Sequence, residues 1–125
     1  ALLVVAGLPC SGRTTRVNEI AAYFEKQIDT VPQLERVLVL RDSDIHVSRD
    51  DMRVRSRTIP TDTPAAQRTE SRARAAYMSA VRRALAPNTI VIADGGAGMN
   101  IKGYRYELWC AVRELGLRCA TVRCI

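Results

Sequence analysis

The chain has 125 residues, 47% of them apolar, and a formal net charge of +6. That length supports one domain with a buried core, and no window approaches the length of a membrane helix, so neither a signal peptide nor a membrane partner is expected. One histidine and four cysteines without a C-x-x-C pair exclude a zinc-type ligand set.

Cys10, Cys110, Cys119 and Cys124 read as buried reduced thiols of an intracellular protein. The positive charge is almost all arginine and suits an anionic partner, either a nucleic acid or nucleotide phosphate.

Residues 2–6 form a continuous apolar run, the mark of a strand buried on both faces of a parallel sheet. Gly7-Leu8-Pro9-Cys10-Ser11-Gly12-Arg13-Thr14 follows at once, with the spacing of a phosphate-binding P-loop, G-x-x-x-x-G-K-[ST]. Such a loop turns its backbone N–H groups toward an anion at the positive end of the next helix. Gly7, Pro9, Cys10, Ser11, Gly12, Arg13, Thr14 and Thr15 are therefore candidate ATP-binding residues, with the Thr14 hydroxyl placed to ligate Mg²⁺. Arg13 departs from the motif, which takes lysine here. Its planar fork keeps the charge but is bulkier than an ammonium.

Val17, Ile20, Ala21, Phe24 and Ile28 repeat at helical spacing, and Pro32 marks the way out. Residues 37–40 read as a second buried strand, ending in Arg41-Asp42-Ser43-Asp44. Carboxylates at a strand's C-terminal end lie where ligands bind in α/β sheets. Asp42, or else Asp44, is a candidate to orient an acceptor hydroxyl or hold a Mg²⁺-bound water; a helix cap or a solvated turn is the plainer role.

Residues 45–63 are polar and basic, with Arg49, Arg53, Arg55 and Arg57, and read as a solvated loop or as a flap for a polyanion such as RNA. His46 reads as a surface residue. Thr63-Pro64 has the form of a helix N-cap and first turn. The helix that follows carries Tyr77, Val81, Ala84 and Leu85 on one face and stops at Pro87-Asn88.

Thr89-Ile90-Val91-Ile92-Ala93-Asp94 is a third buried strand ending in a carboxylate, the Walker B pattern for Mg²⁺. Residues 95–100 read as a flexible loop. A helix then turns Leu108, Trp109, Val112 and Leu115 inward and stops at Gly116, and residues 119–125 make a fourth strand. Lys102 and Arg105 are candidates for phosphate or RNA contact. The order β-α-β-α-β-α-β with right-handed crossovers predicts an α/β P-loop NTPase of the kinase type, a parallel sheet with helices on both faces. Such a domain ordinarily adds a lid and a further strand, so residues 1–125 are expected to be one nucleotide-binding domain, incomplete at its C-terminal end.

One run is more specific than the phosphate loop: Asn100-Ile101-Lys102-Gly103-Tyr104-Arg105-Tyr106-Glu107-Leu108-Trp109-Cys110, preceded by Asp94-Gly95. With Asp42 and the P-loop it resembles the N-terminal ATPase domain of the Elongator-associated killer-toxin-insensitivity family, relatives of O-phosphoseryl-tRNA(Sec) kinase. That family's pattern is D-G/S-x-N-Y-I-K-G-[FY]-R-Y-[EQ]-L-[WY]-C. The likeness covers most of the chain and is weakest over residues 43–72. Gly96-Ala97-Gly98 interrupts the pattern here, and its tyrosine between Asn100 and Ile101 is missing.

The resemblance implies an ATPase that uses ATP and Mg²⁺, binds tRNA and assists the Elongator complex in wobble-uridine modification, in the cytoplasm and also the nucleus. It implies that Gly7, Gly12, Arg13 and Thr14 form the nucleotide site. Arg13, Asp42 and Asp94 would be catalytic, and Thr14, Asp42 and Asp94 would hold the metal. Two other functions remain open. Asp42-Ser43-Asp44 suits a kinase acting on a tRNA-linked or small-molecule hydroxyl, and Arg13 suits a nucleotide sensor that does not turn over.

Overall fold

The computed structural model describes residues 1–45 and 64–125, with side chains in the second stretch described from Glu70 onward, apart from Ala97. The segment Arg49–Arg57, read as a solvated loop or a flap, His46 and the Thr63 cap lie outside the described residues.

In chain order the elements are β1 (Leu2–Gly7), α1 (Arg13–Gln27), β2 (Arg36–Arg41), a 3-10 turn (Asp42–Ile45), α2 (Pro64–Ala84), β3 (Thr89–Asp94), a second 3-10 turn (Gly96–Asn100), α3 (Lys102–Glu114) and β4 (Cys119–Cys124). The strands lie in the order β2-β3-β1-β4, and every pair is parallel.

Alternation along β1 and β3 builds a core on each face of the sheet. Leu2, Val4, Ala6, Val91 and Ala93 pack with Tyr77, Val81 and Leu85 of α2 and with Tyr104, Leu108 and Val112 of α3. On the other face Val5 and Ile92 meet Val17 of α1, flanked by Leu3, Ile20, Ala21, Val37 and Val39. Each fully buried valine or leucine contributes roughly 1.5–3 kcal/mol of transfer free energy. The expected doubly covered parallel sheet is therefore observed, with α1 on one face and α2 and α3 on the other.

Four expectations are corrected. β2 was expected to be buried on both faces but is an edge strand bonded to β3, and Val37, Leu38, Val39 and Leu40 are half-buried. Its apolar run looks like that of a central strand because periodicity does not reveal lateral order.

On α3, Leu108 and Val112 point inward, but Trp109 is 40% and Leu115 53% exposed. The buried set is Tyr104, Leu108, Ala111 and Val112, so the helix is rotated and Tyr104 takes the place expected of the tryptophan. Trp109 instead stacks on Tyr106, with their ring centroids 5.6 Å apart.

The cysteines are free but not buried. Cys10 is exposed at the loop tip, Cys110 is half-buried on α3, and Cys119 and Cys124 are half-buried on the edge strand β4. Residues 95–100, expected to be flexible, contain a 3-10 turn whose Met99 is fully buried among the core side chains.

Candidate nucleotide site

The C-terminal ends of β1, β2 and β3 converge on one edge of the sheet. Gly7 ends β1 and the chain turns through Leu8, Pro9 and Cys10, all exposed, with the Ser11 N–H donating to the Leu8 carbonyl at 3.2 Å. Gly12 then adopts φ +79°, a left-handed conformation that would strain any side chain, and starts α1. No side chain caps this helix, and its first turn holds no acidic residue. Its leading N–H groups are thus left for an anion, reinforced by the helix dipole. Thr14 and Thr15 sit exposed in that first turn. The Ser11 hydroxyl beneath the loop is buried and has no hydrogen-bond partner among the described residues.

Arg13 does not extend from the loop. One terminal nitrogen, Nη1, donates to the Gly7 and Gly96 carbonyls at 3.0 Å each, and its Nε lies 3.5 Å from Asp94 Oδ1. The long planar fork spans β1, the loop and the turn after β3, which an ammonium cannot do in one rigid geometry. Asp94, only 8% exposed, meets a second guanidinium on its other oxygen, with Arg41 Nε 3.9 Å from Oδ2. Arg41 also donates to Asn18 of α1 at 2.6 Å. Arg41 and Asp94 are register partners on adjacent strands, which places them side by side.

Asp42 follows directly in the 3-10 turn, and a Cβ on Gly96 would strike its Oδ2. Gly96 also has φ +62°. Asp44 has the plainer role considered from sequence: its Oδ2 accepts the Arg41 backbone N–H at 2.8 Å and closes the turn. The Tyr77 hydroxyl donates to the Leu40 carbonyl at 2.6 Å, holding the end of β2 that carries Asp42. Burial, followed by the negative field of Asp42, raises the Tyr77 pKa well above its ordinary value, so this donor stays protonated.

The structure thus brings together Gly7, Ser11, Gly12, Arg13, Asp42 and Asp94. Pro9, Cys10, Thr14 and Thr15 lie on the exposed rim. Lys102 is exposed, whereas Arg105 donates to the Met99 carbonyl at 2.8 Å and is structural here. Three further residues build the site without a local sequence signal for it: Tyr77 lies in an apolar stripe, Arg41 at the end of a strand, and Asn100 within the family pattern.

Among the described residues no group of three or more His, Cys, Asp or Glu side chains could hold a metal by itself. The Thr14 hydroxyl and the two carboxylates are nonetheless hard oxygen donors. Mg²⁺ needs only one or two of these, since phosphate and water complete its shell. Their chemistry fits the ion.

A phosphate loop at the carboxyl edge of a β2-β3-β1-β4 parallel sheet, with an acidic residue ending β3, is the arrangement of kinase-type P-loop proteins. The family model described as "Chromatin associated protein KTI12" matches residues 1–125. The chain belongs to the KTI12 family. Protein kti12 of Schizosaccharomyces pombe is 32% identical over 118 residues, covering 91% of this chain and 37% of that protein. Protein KTI12 of Saccharomyces cerevisiae is 32% identical over 124 residues, covering 91% of this chain and 33% of that protein.

Among solved structures, Chaetomium thermophilum Kti12 in complex with ADP-AlF3 aligns with a TM-score of 0.77 at 34% identity, over 99% of this chain and 60% of that one. The Mycobacterium tuberculosis APS kinase CysC shares the fold, with a TM-score of 0.56 at 14% identity over 98% of this chain and 73% of that one. The chain spans about a third of the length of the curated KTI12 relatives it matches.

Proposed function

We propose that residues 1–125 form the Mg²⁺-dependent ATP-binding and ATP-hydrolysing domain of a tRNA-binding cofactor of the Elongator complex. The observation that carries the nucleotide part is the left-handed Gly12 at an uncapped α1 N-terminus, facing Arg13 and Asp94. The likeness to a Kti12 that holds ADP-AlF3 supports the same reading.

In this reading the N–H groups around Gly12 receive the phosphates, and Arg13 moves from the Gly7 and Gly96 carbonyls onto their outer oxygens. Phosphoryl chemistry then proceeds by positioning and charge stabilisation, with little covalent work for the protein. Mg²⁺, held by Thr14 and through water by Asp94 with Asp42 beside it, would supply neutralisation of the phosphate charge. Arg41 stays near Asp94 and limits the negative charge left when Arg13 departs.

The tRNA and Elongator parts rest on the Lys102–Cys110 resemblance and the net charge of +6. Cytoplasm and nucleus are the proposed compartments, the nucleus in keeping with the chromatin-associated description of the family. The test is ATP hydrolysis by the full-length protein with and without tRNA. Slow hydrolysis stimulated by tRNA is expected, together with tRNA binding that weakens steeply with salt. No stimulation would remove the tRNA-linked reading.

A second reading, phosphotransfer to a tRNA-linked or small-molecule hydroxyl, is favoured by Asp42 at the end of β2. Labelled ATP separates the two, since label passing only to water indicates an ATPase.

A further inference from the structure

We infer that Asn100 is a positioning residue of the phosphate loop. Its carboxamide oxygen accepts the Gly7 N–H at 2.9 Å, and its Nδ2 donates to the Gly7 carbonyl at 3.0 Å. The inference rests on the proposed nucleotide site.

The need for such a residue follows from the sheet. β1 pairs with β4 along its whole length, through Gly7 opposite Cys124. Its pairing with β3 covers only Leu2, Leu3 and Val4. β3 ends at Asp94, so β1 runs past it and Gly7 has no β3 neighbour just where the loop begins. A carboxamide sets an N–H donor beside its carbonyl acceptor on the same side, so Asn100 replaces the missing strand by two bonds to one residue.

The arm that carries Asn100 is stiff. Met99 beside it is fully buried, its carbonyl accepts Arg105, and the Ile101 N–H closes the turn on the Gly98 carbonyl at 3.1 Å. Supporting bonds of this kind hold a site residue in register.

Gly7 also explains the division of labour with Arg13. Its carbonyl accepts both Asn100 Nδ2 and Arg13 Nη1, each at 3.0 Å. When Arg13 turns to phosphate, Asn100 alone keeps that carbonyl paired. Asn100 is the permanent anchor of the loop and Arg13 the exchangeable one. The same turn carries Gly96, next to Asp42, so Asn100 also fixes the distance from the phosphate loop to the acidic end of the sheet.

The experiment uses the full-length protein and reads ATP affinity by calorimetry, thermal midpoint, and hydrogen exchange at the Gly7 amide. Asn100→Ala removes both bonds. Asn100→Asp keeps the size and the acceptor but sets a carboxylate against the Gly7 carbonyl. Val81→Ala, a core residue of α2 that contributes no polar atom to the site, is the control for lost stability alone. Both Asn100 variants should bind ATP about tenfold more weakly or worse, and the Gly7 amide should exchange faster in Asn100→Ala. Val81→Ala should keep its affinity.

ATP binding by both Asn100 variants within about twofold of the parent would overturn the inference, as would an equal loss in Val81→Ala. If Asn100→Ala does not fold, the isosteric Asn100→Asp decides by the same criterion. If the parent itself binds no ATP, the nucleotide reading fails with it, and that result is distinct from a parent that binds while the variants match it.

Discussion

Arg13 lies 3.5 Å from Asp94, so the cation of the phosphate loop and the acid at the end of β3 neutralise each other across the site. In the proposed site both groups would serve a charged ligand, and here each is a counter-ion of the other. Binding phosphate therefore competes with an internal contact, and the arginine fork strengthens that contact by also bonding the Gly7 and Gly96 carbonyls.

Arg13→Lys should shift this balance in two opposite directions. The ammonium loses the fork that ties two carbonyls to a carboxylate, and the ligand-free domain should lose about 1 kcal/mol of stability, measured by urea denaturation. ATP affinity, measured by calorimetry, should rise several-fold because less must be broken. Equal affinity in the two proteins would show that arginine is no handicap.

Asp94→Asn should leave Arg13 and Arg41 facing each other without their shared carboxylate. The ion pairs are partly solvated, since Arg13 is 20% and Arg41 39% exposed. The expected cost is therefore about 2 kcal/mol, below the range for a fully buried pair. Hydrolysis should fall to background while ATP binding weakens much less, which separates the acid's role in turnover from its structural one.

Gly96→Ala should be among the most damaging small substitutions in the domain. Gly96 has φ +62°, and the added methyl would strike the Asp42 carboxylate. Backbone strain and the displaced acid together should cost about 1–3 kcal/mol in chemical denaturation and reduce turnover.

Alkaline pH should destabilise the fold. Tyr77 and Tyr104 have pKa values raised above the ordinary 10.0, chiefly by burial, and their hydroxyls donate to the Leu40 and Arg74 carbonyls. A raised folded-state pKa means that the unfolded chain releases the proton first. The stabilisation is thus complete below pH about 10 and is lost as pH rises through and beyond that value. Denaturation between pH 8 and pH 11.5 should show stability falling at the upper end, and Tyr104→Phe should flatten part of that fall.

Trp109→Ala should change stability by less than about 1 kcal/mol, although tryptophan in a core costs several times that. The ring is 40% exposed, stacked on Tyr106, with the Arg113 guanidinium 5.0 Å from its centroid. Iodide should quench its fluorescence in the folded protein.

The parts that could be read from the chain were those set by local order. The Gly7–Thr14 spacing, the apolar runs ending in Asp42 and Asp94, and the helical stripe through Tyr77 and Val81 each depend on residues close in sequence. Chirality rules then limit how a β-α-β chain can close. These were enough for the fold and for the acidic edge of the site. Lateral order was not legible: β2 has the apolar pattern of a central strand yet lies at the edge. The rotation of α3 was also hidden, because Tyr104 and Trp109 both qualify for its inner face.

Asn100 and Gly7 mark the same boundary at the site. Ninety-three positions separate them, and nothing near either residue announces the bond. The chain alone supplies the phosphate loop, its odd arginine and its carboxylates, because periodicity and spacing act over a few residues. Which acid meets Arg13, which amide holds Gly7 and which face of α3 is buried depend on how sheet twist and helix packing bring distant segments together. Those contacts exist only once the long-range packing has formed.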